Sequence, residues 1–281
     1  MRQVDASKIQ EAVKTLCMTA NYDLPEDVLK RIKDMREKEE SPTAREILDQ
    51  IIENANIATT DKVPICQDTG FAVFFVTVGE DVQITGGHLA EAIEKGVADG
   101  YTEGYLRKSI LLDPLKRTPN SGDNTPPIIW TELVPGDELT ITIAPKGGGS
   151  ENMSRIKMMK PADGVEGFVN FVVSAAIEAG GNPCPPIVVG AGVGGTFDKC
   201  AWLAKKALLR DIGERNKDPF YAELEERILT EINNSGVGPQ GLGGRTTALE
   251  VFIEAFPLHI ATFPAAVNIN CHAARHKKVS L

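Results

Sequence analysis

Basic charge is in short supply in this chain: 39 acidic against 30 basic residues leave a net charge of −9. That argues against nucleic acid as a partner, because phosphate binding needs a cationic surface. A small anion would be drawn in by a local group of cations and not by the field of the whole molecule. No apolar run approaches the ~20 residues of a membrane helix, so no membrane partner is expected. The N-terminus, MRQVDASKIQEAV, lacks the apolar core of a signal peptide and reads as the start of an amphipathic helix. Five cysteines, an odd number without a secretion signal, favour reduced thiols or a metal site over a disulfide framework. A cytoplasmic protein is expected. No repeat, linker or low-complexity segment breaks the chain. There is no CxxC pair of the kind that marks structural zinc, and His272 and His276 stand four apart without the HExxH that a zinc protease helix requires. No GxSxG supports a hydrolase.

What remains is an ordinary globular mixture, 42% apolar and 25% charged over 281 residues. The first sixty residues are helical by pattern. Val28, Leu29 and Ile32 form a narrow apolar stripe. Ser41-Pro42 supplies a hydroxyl cap and a proline for the first helical position, ahead of Ile47, Leu48, Ile51 and Ile52 at helical spacing. At Pro64 the character changes. Phe71–Gly79 and Val82–Ile84 read as strands joined by a tight turn, and HLAEAIEKGVAD as a helix. IIWTELV and ELTITIAPK, flanking Pro135-Gly136, look like a hairpin. GGGSENMS reads as a glycine-rich loop, Val165–Ala179 as a helix, PPIVVG as a buried strand, and Asp198–Arg210 and Tyr221–Ile232 as helices. Ala248–Glu254 and Leu258–Asn270 close the chain as strands. The fold expected is α/β (mixed α+β), a helical N-terminal section followed by mixed β-sheets surrounded by helices. It is read as one domain over 1–281, with a helical section 1–60 and a core 61–281.

Cys17 and Cys200 sit within helices beside apolar residues and read as small buried hydrophobes. Cys66, Cys184 and Cys271 differ. All three stand at loop–strand boundaries, where side chains from distant segments can converge. Three thiolates without a fourth would suit a cubane that leaves one iron open as a Lewis acid, although ordinary buried thiols remain an alternative on spacing alone.

Four blocks carry a resemblance: ICQDTG, KGGGSEN, GVGGTFDKCAWLAKKALLR and PLHIATFPAAVNINCHAARH. In this order they resemble the iron–sulfur-dependent (class I) fumarate hydratases and L-tartrate dehydratases, nearly end to end. The chain ends ten residues after Cys271 and so resembles the α subunit of the two-subunit form. The resemblance implies a separate β subunit, carrying part of the substrate-carboxylate clamp and a proton-transfer threonine, and an oligomeric assembly. It implies that Cys66, Cys184 and Cys271 ligate three irons of a [4Fe-4S] cluster. Gln67 and Asp68 would then lie near the fourth iron, with Asp68 in acid/base chemistry at the departing oxygen. Arg107 would grip a carboxylate of a small dicarboxylate substrate, Gly149 would offer a backbone N–H, and His259 would be an active-site histidine. The implied reaction is reversible hydration of fumarate to L-malate, with L-tartrate dehydration as the alternative.

A reading of another class rests on Gly190-Ala-Gly192-Val-Gly194-Gly195, which satisfies GxGxxG after a strand and before a helix. It would make the chain an NAD-binding oxidoreductase. No strand ending in a ribose-binding acid follows that helix. GPQGLGGRT has arginine where a phosphate-binding loop needs lysine. The tail CHAARHKKVSL concentrates positive charge on an acidic chain, which would suit either solvent or the β subunit.

Overall fold

The first five residues contradict the helical reading of the N-terminus. Arg2–Asp5 is a strand, and Asp5 then caps the following helix, its carboxylate accepting the Ser7 N–H at 2.8 Å. The computed structural model describes residues 1–281. In chain order the elements are β1 (Arg2–Asp5), α1 (Ala6–Tyr22), α2 (Glu26–Lys38), α3 (Pro42–Asp61), β2 (Phe71–Gly79), β3 (Val82–Thr85), α4 (Leu89–Glu103), β4 (Ile128–Val134), β5 (Leu139–Lys146) and α5 (Gly148–Glu151). There follow β6 (Arg155–Met159), α6 (Gly164–Ala179), β7 (Ile187–Gly195), α7 (Phe197–Ala207), α8 (Pro219–Asn233), β8 (Ala248–Leu258), β9 (Phe263–Asn270) and β10 (Lys277–Ser280). This is a mixed α/β chain, as its patterns imply. No helix is long and apolar enough to cross a membrane.

The elements gather into two compact units, each interleaved in sequence. One comprises Met1–Leu24, Ile57–Gly148 and Arg275–Leu281; the other, Pro25–Asn56 and Gly149–Ala274. The boundary read near residue 60 follows the end of α3 and not the division into units.

In the first unit a four-stranded sheet runs β10-β5-β2-β4. The expected β4–β5 hairpin is absent. β2 lies between the two strands, parallel to β4 and antiparallel to β5. The reason is burial: Ala72 to Val76 of β2 are all buried, and only a central strand covers such a run on both faces. Ile9, Val13, Ile93, Val97, Tyr101, Phe74 and Ile141 form the core, and Cys17 packs against Gly100 of α4.

In the second unit the sheet order is β6-β9-β7-β8. Val189, Ala191, Val251 and Val267 meet Phe168, Val172, Ile228 and Ile232 of α6 and α8 on one face. The alternate residues face α7. Here the GAGVGG segment proves to be strand, not loop. A Cβ added at Gly190 or Gly192 would lie 2.1 Å from the carbonyl oxygen of Ala204 or Cys200, so the glycines admit α7 against the sheet. The dinucleotide reading needed a turn at this place and loses its basis. Gly192→Ala should force α7 outward and cost about 3 kcal/mol, measurable by urea denaturation; an unchanged midpoint would contradict this packing. The boundary read between the last two strands also shifts: β8 runs on through Leu258, and His259–Thr262 form a turn, with Thr262 N–H and Oγ1 donating to His259 O at 2.9 and 3.0 Å.

Candidate functional site

The ICQDTG segment forms a turn at the mouth of β2 that is held by its own polar groups. Ile65 is buried, and its N–H donates to Asn21 O at 2.9 Å. Cys66 Sγ accepts the Asp68 N–H at 3.4 Å and stands 3.5 Å from Gln67 Oε1. The Asp68 carboxylate accepts the Gly70 N–H at 3.0 Å through one oxygen and the Gly148 N–H at 2.7 Å through the other. It thereby ties this turn to the glycine run after β5. Gly70 has φ +80°, and a Cβ there would stand 2.7 to 2.9 Å from the backbone of Pro145 and Lys146. Only glycine suits both the conformation and the approach.

Arg107 comes to the same turn through its main chain. Thr69 Oγ1 accepts the Arg107 N–H at 3.0 Å and lies 3.3 Å from Arg107 O. The Arg107 and Gln67 side chains are exposed. Beneath the turn, the buried Tyr101 hydroxyl stands 2.9 and 3.0 Å from Thr69 O and Gly70 O, and Asn124 Nδ2 donates to Gly70 O at 3.2 Å. Burial pushes the Tyr101 phenol above its ordinary range, so it stays neutral. The first unit thus brings together Cys66, Gln67, Asp68, Arg107 and Gly148. Thr69, Tyr101 and Asn124 were missed in sequence because their roles are hydrogen bonds to main chain far away in sequence.

The second unit brings together Cys184 and Cys271. Cys184 is exposed and left-handed, with φ +53°. For a non-glycine residue this is an uncommon, mildly strained conformation of the kind found at ligand sites. Its carbonyl oxygen accepts the His272 N–H at 3.2 Å, and His272 Nδ1 lies 3.0 Å from the same oxygen. The antiparallel pairing Val188↔Asn270 fixes both cysteines at one end of β7 and β9. Gly149, exposed, opens the second unit within a single helical turn, where the sequence reads as loop. That turn is held by Glu151, which meets Lys205 Nζ at 2.7 Å and Asn268 Nδ2 at 2.7 Å.

His259 is the one expected site residue that the second unit separates from the others it contains. It precedes β9, whereas Cys271 follows it, and the eight residues of that strand span about 27 Å. His259 is exposed beside a cleft of about 620 Å³ whose walls include Phe197, Lys199, Phe256 and Leu258.

None of the five cysteines forms a disulfide. Cys17 and Cys200 are 0% exposed, and burial pushes both thiols upward, which keeps them protonated and inert. Cys66, Cys184 and Cys271 reach solvent. No three His, Cys, Asp or Glu side chains are gathered tightly enough to enclose a single metal ion. The donor chemistry nevertheless suits a thiolate-bound group: three accessible thiols stand at strand mouths, and the buried guanidinium of Arg275, whose Nε and Nη1 have no hydrogen-bond partner, donates to the main chain of Asp68 in the Cys66 turn.

Comparison with known proteins gives a consistent picture. The sequence profile of the family described as fumarate hydratase (Fumerase) matches residues 10–280. A Methanocaldococcus jannaschii protein named "Putative L(+)-tartrate dehydratase subunit alpha" is 44% identical over 281 residues, covering 98% of each chain. The Escherichia coli K12 protein named L(+)-tartrate dehydratase subunit alpha is 32% identical over 276 residues, covering 98% of this chain and 91% of that one.

Proposed function

The chain belongs to the fumarate hydratase (Fumerase) family of hydro-lyases, and from that premise we propose that it is the α subunit of a [4Fe-4S] enzyme that adds water to, or removes it from, a C4 dicarboxylate. Cys66, Cys184 and Cys271 would hold the cluster, and one iron without a protein ligand would supply Lewis acidity at the substrate oxygen. The observation that supports this most directly is the Cys66–Asp68 turn, where an accessible thiol and a carboxylate clamped by two N–H groups share three residues.

The remaining steps belong to protein side chains. Asp68 would exchange a proton with the departing hydroxyl, its carboxyl group oriented by the Gly70 and Gly148 N–H groups. Arg107, tethered by Thr69 yet exposed at its tip, would take a substrate carboxylate in a bidentate grip. Gln67 would offer its amide on the same side, and Gly149 a backbone N–H. A β subunit would complete the carboxylate clamp and supply the group that handles the carbon-bound proton. His259 would join such a centre only through a further polypeptide, because β9 holds it away from Cys271.

Hydration of fumarate to L-malate is the first reading. L-tartrate dehydration is the second, favoured by the names of the relatives. The test is anaerobic reconstitution of the chain with iron and sulfide, repeated with the β subunit. About four irons per chain are expected, lost in Cys66→Ser, Cys184→Ser and Cys271→Ser and kept in Cys17→Ser and Cys200→Ser. Assay of the loaded complex on both substrates then decides between them. Absence of iron uptake with the β subunit present would overturn the reading.

A further inference from the structure

Arg275 is 4% exposed, and two of its three nitrogens, Nε and Nη1, are wholly shielded and without a hydrogen-bond partner. The third, Nη2, donates to Asp68 O at 2.6 Å. Other guanidinium groups of this chain that lie largely below the surface are neutralised: Arg210 meets Glu225 at 2.6 Å and Arg215 meets Glu250 at 2.6 Å. Arg275 has no carboxylate on the two unpartnered nitrogens. Asp68 meets it through its main-chain carbonyl, while the carboxylate oxygens accept the N–H groups of Gly70 and Gly148. The neighbouring carbonyls of Thr69 and Gly70 are served by Tyr101 and Asn124.

An uncompensated buried cation is among the costliest features a fold can carry, at several kcal/mol, and it persists where an anion balances it. The guanidinium grips the residue whose own N–H reaches Cys66 Sγ, and in sequence it lies four residues beyond Cys271. We infer that Arg275 is a positioning residue for the anionic, thiolate-ligated cluster: it holds the Cys66–Asp68 turn in its ligating shape, and its unpaired charge is balanced when the cluster is bound. This rests on the cluster reading above. It goes beyond that reading by assigning a charge-compensating role to a residue that is neither ligand nor substrate contact.

Two substitutions separate charge from hydrogen bonding. Arg275→Gln keeps a donor for Asp68 O and removes the charge, while Arg275→Lys keeps the charge. The loaded complex of each is challenged with an iron chelator, the visible spectrum and iron content are followed, and the thermal midpoint of the cluster-free protein is recorded. Arg275→Gln should release iron about 10-fold to 100-fold faster than wild type, as expected for loss of a group outside the ligand set. Its cluster-free form should be as stable as wild type or more so, because the unbalanced charge is gone. Arg275→Lys should release iron within about threefold of wild type, because the opposing charge is kept. Equal retention in Arg275→Gln would overturn the inference. So would a loss of stability in its cluster-free form, which would mark Arg275 as packing alone, or a Lys variant that releases iron as fast as the Gln variant. A wild type that takes up no iron would overturn the cluster reading itself.

Discussion

Asp68→Asn in the loaded complex should lower kcat by about 10²- to 10⁴-fold while leaving KM and iron content near wild type. The amide keeps the shape of the carboxylate and can still accept one N–H, so the turn should persist. Its NH₂ group, however, would face the N–H of either Gly70 or Gly148, which now meet carboxylate oxygens at 3.0 and 2.7 Å. That mismatch should cost about 1 kcal/mol of stability, too little to unfold the chain. What the amide cannot do is carry a proton to a departing hydroxyl. Steady-state kinetics on malate and tartrate, normalised to iron, would check this; activity within threefold of wild type would remove Asp68 from the acid/base role.

Glu39 should dominate the acid stability of the second unit. It is 1% exposed, at the end of α2, and its carboxylate accepts the N–H groups of Glu40, Ser41, Arg245 and Thr246 and the Thr246 hydroxyl at 2.8 to 3.2 Å. Glu39→Ala strands several of these buried donors and should cost about 3–5 kcal/mol in chemical denaturation. Burial acts to raise its pKa, but these hydrogen bonds outweigh it and hold the carboxyl below its usual 4.5. The folded state therefore binds this proton more weakly than the unfolded one. The stabilisation is full above about pH 4.5 and is lost as pH falls through the lowered folded value. Glu39→Gln should be less stable than wild type near neutrality and should converge with it under acid. Parallel pH–stability curves for the two proteins would count against this assignment.

Much of the site could be read from residue order. The sorting of five thiols into two buried and three accessible follows from whether each lies on the apolar face of a helix or beside a strand end, both visible as local pattern. Asp68 beside Cys66 is likewise a matter of adjacency. The backbone role of Gly70, at the end of the motif, shows only in the structure, in its φ of +80° and its approach to Pro145 and Lys146. Arg275 lay within a tail noticed for its positive charge, but composition cannot distinguish a solvated arginine from one buried without a carboxylate. The same limit applies to His259, whose distance from Cys271 is the length of a strand that begins four residues after it.

What the sequence determined by itself is therefore local: the helices α2, α3, α4 and α8 through their periodicity and caps, the strand β2, and the turn chemistry of ICQDTG. These depend on residues within a few positions of one another, whose preferences act before any distant contact forms. What only the tertiary structure decided depends on pairing between remote segments. β2 enters between β4 and β5 because its two buried faces outweigh the short connection that would have made a hairpin. GAGVGG becomes a strand because α7 lies against it. Arg275 is left without a carboxylate partner because the fold brings to it the main-chain carbonyl of Asp68 and not a side-chain carboxylate.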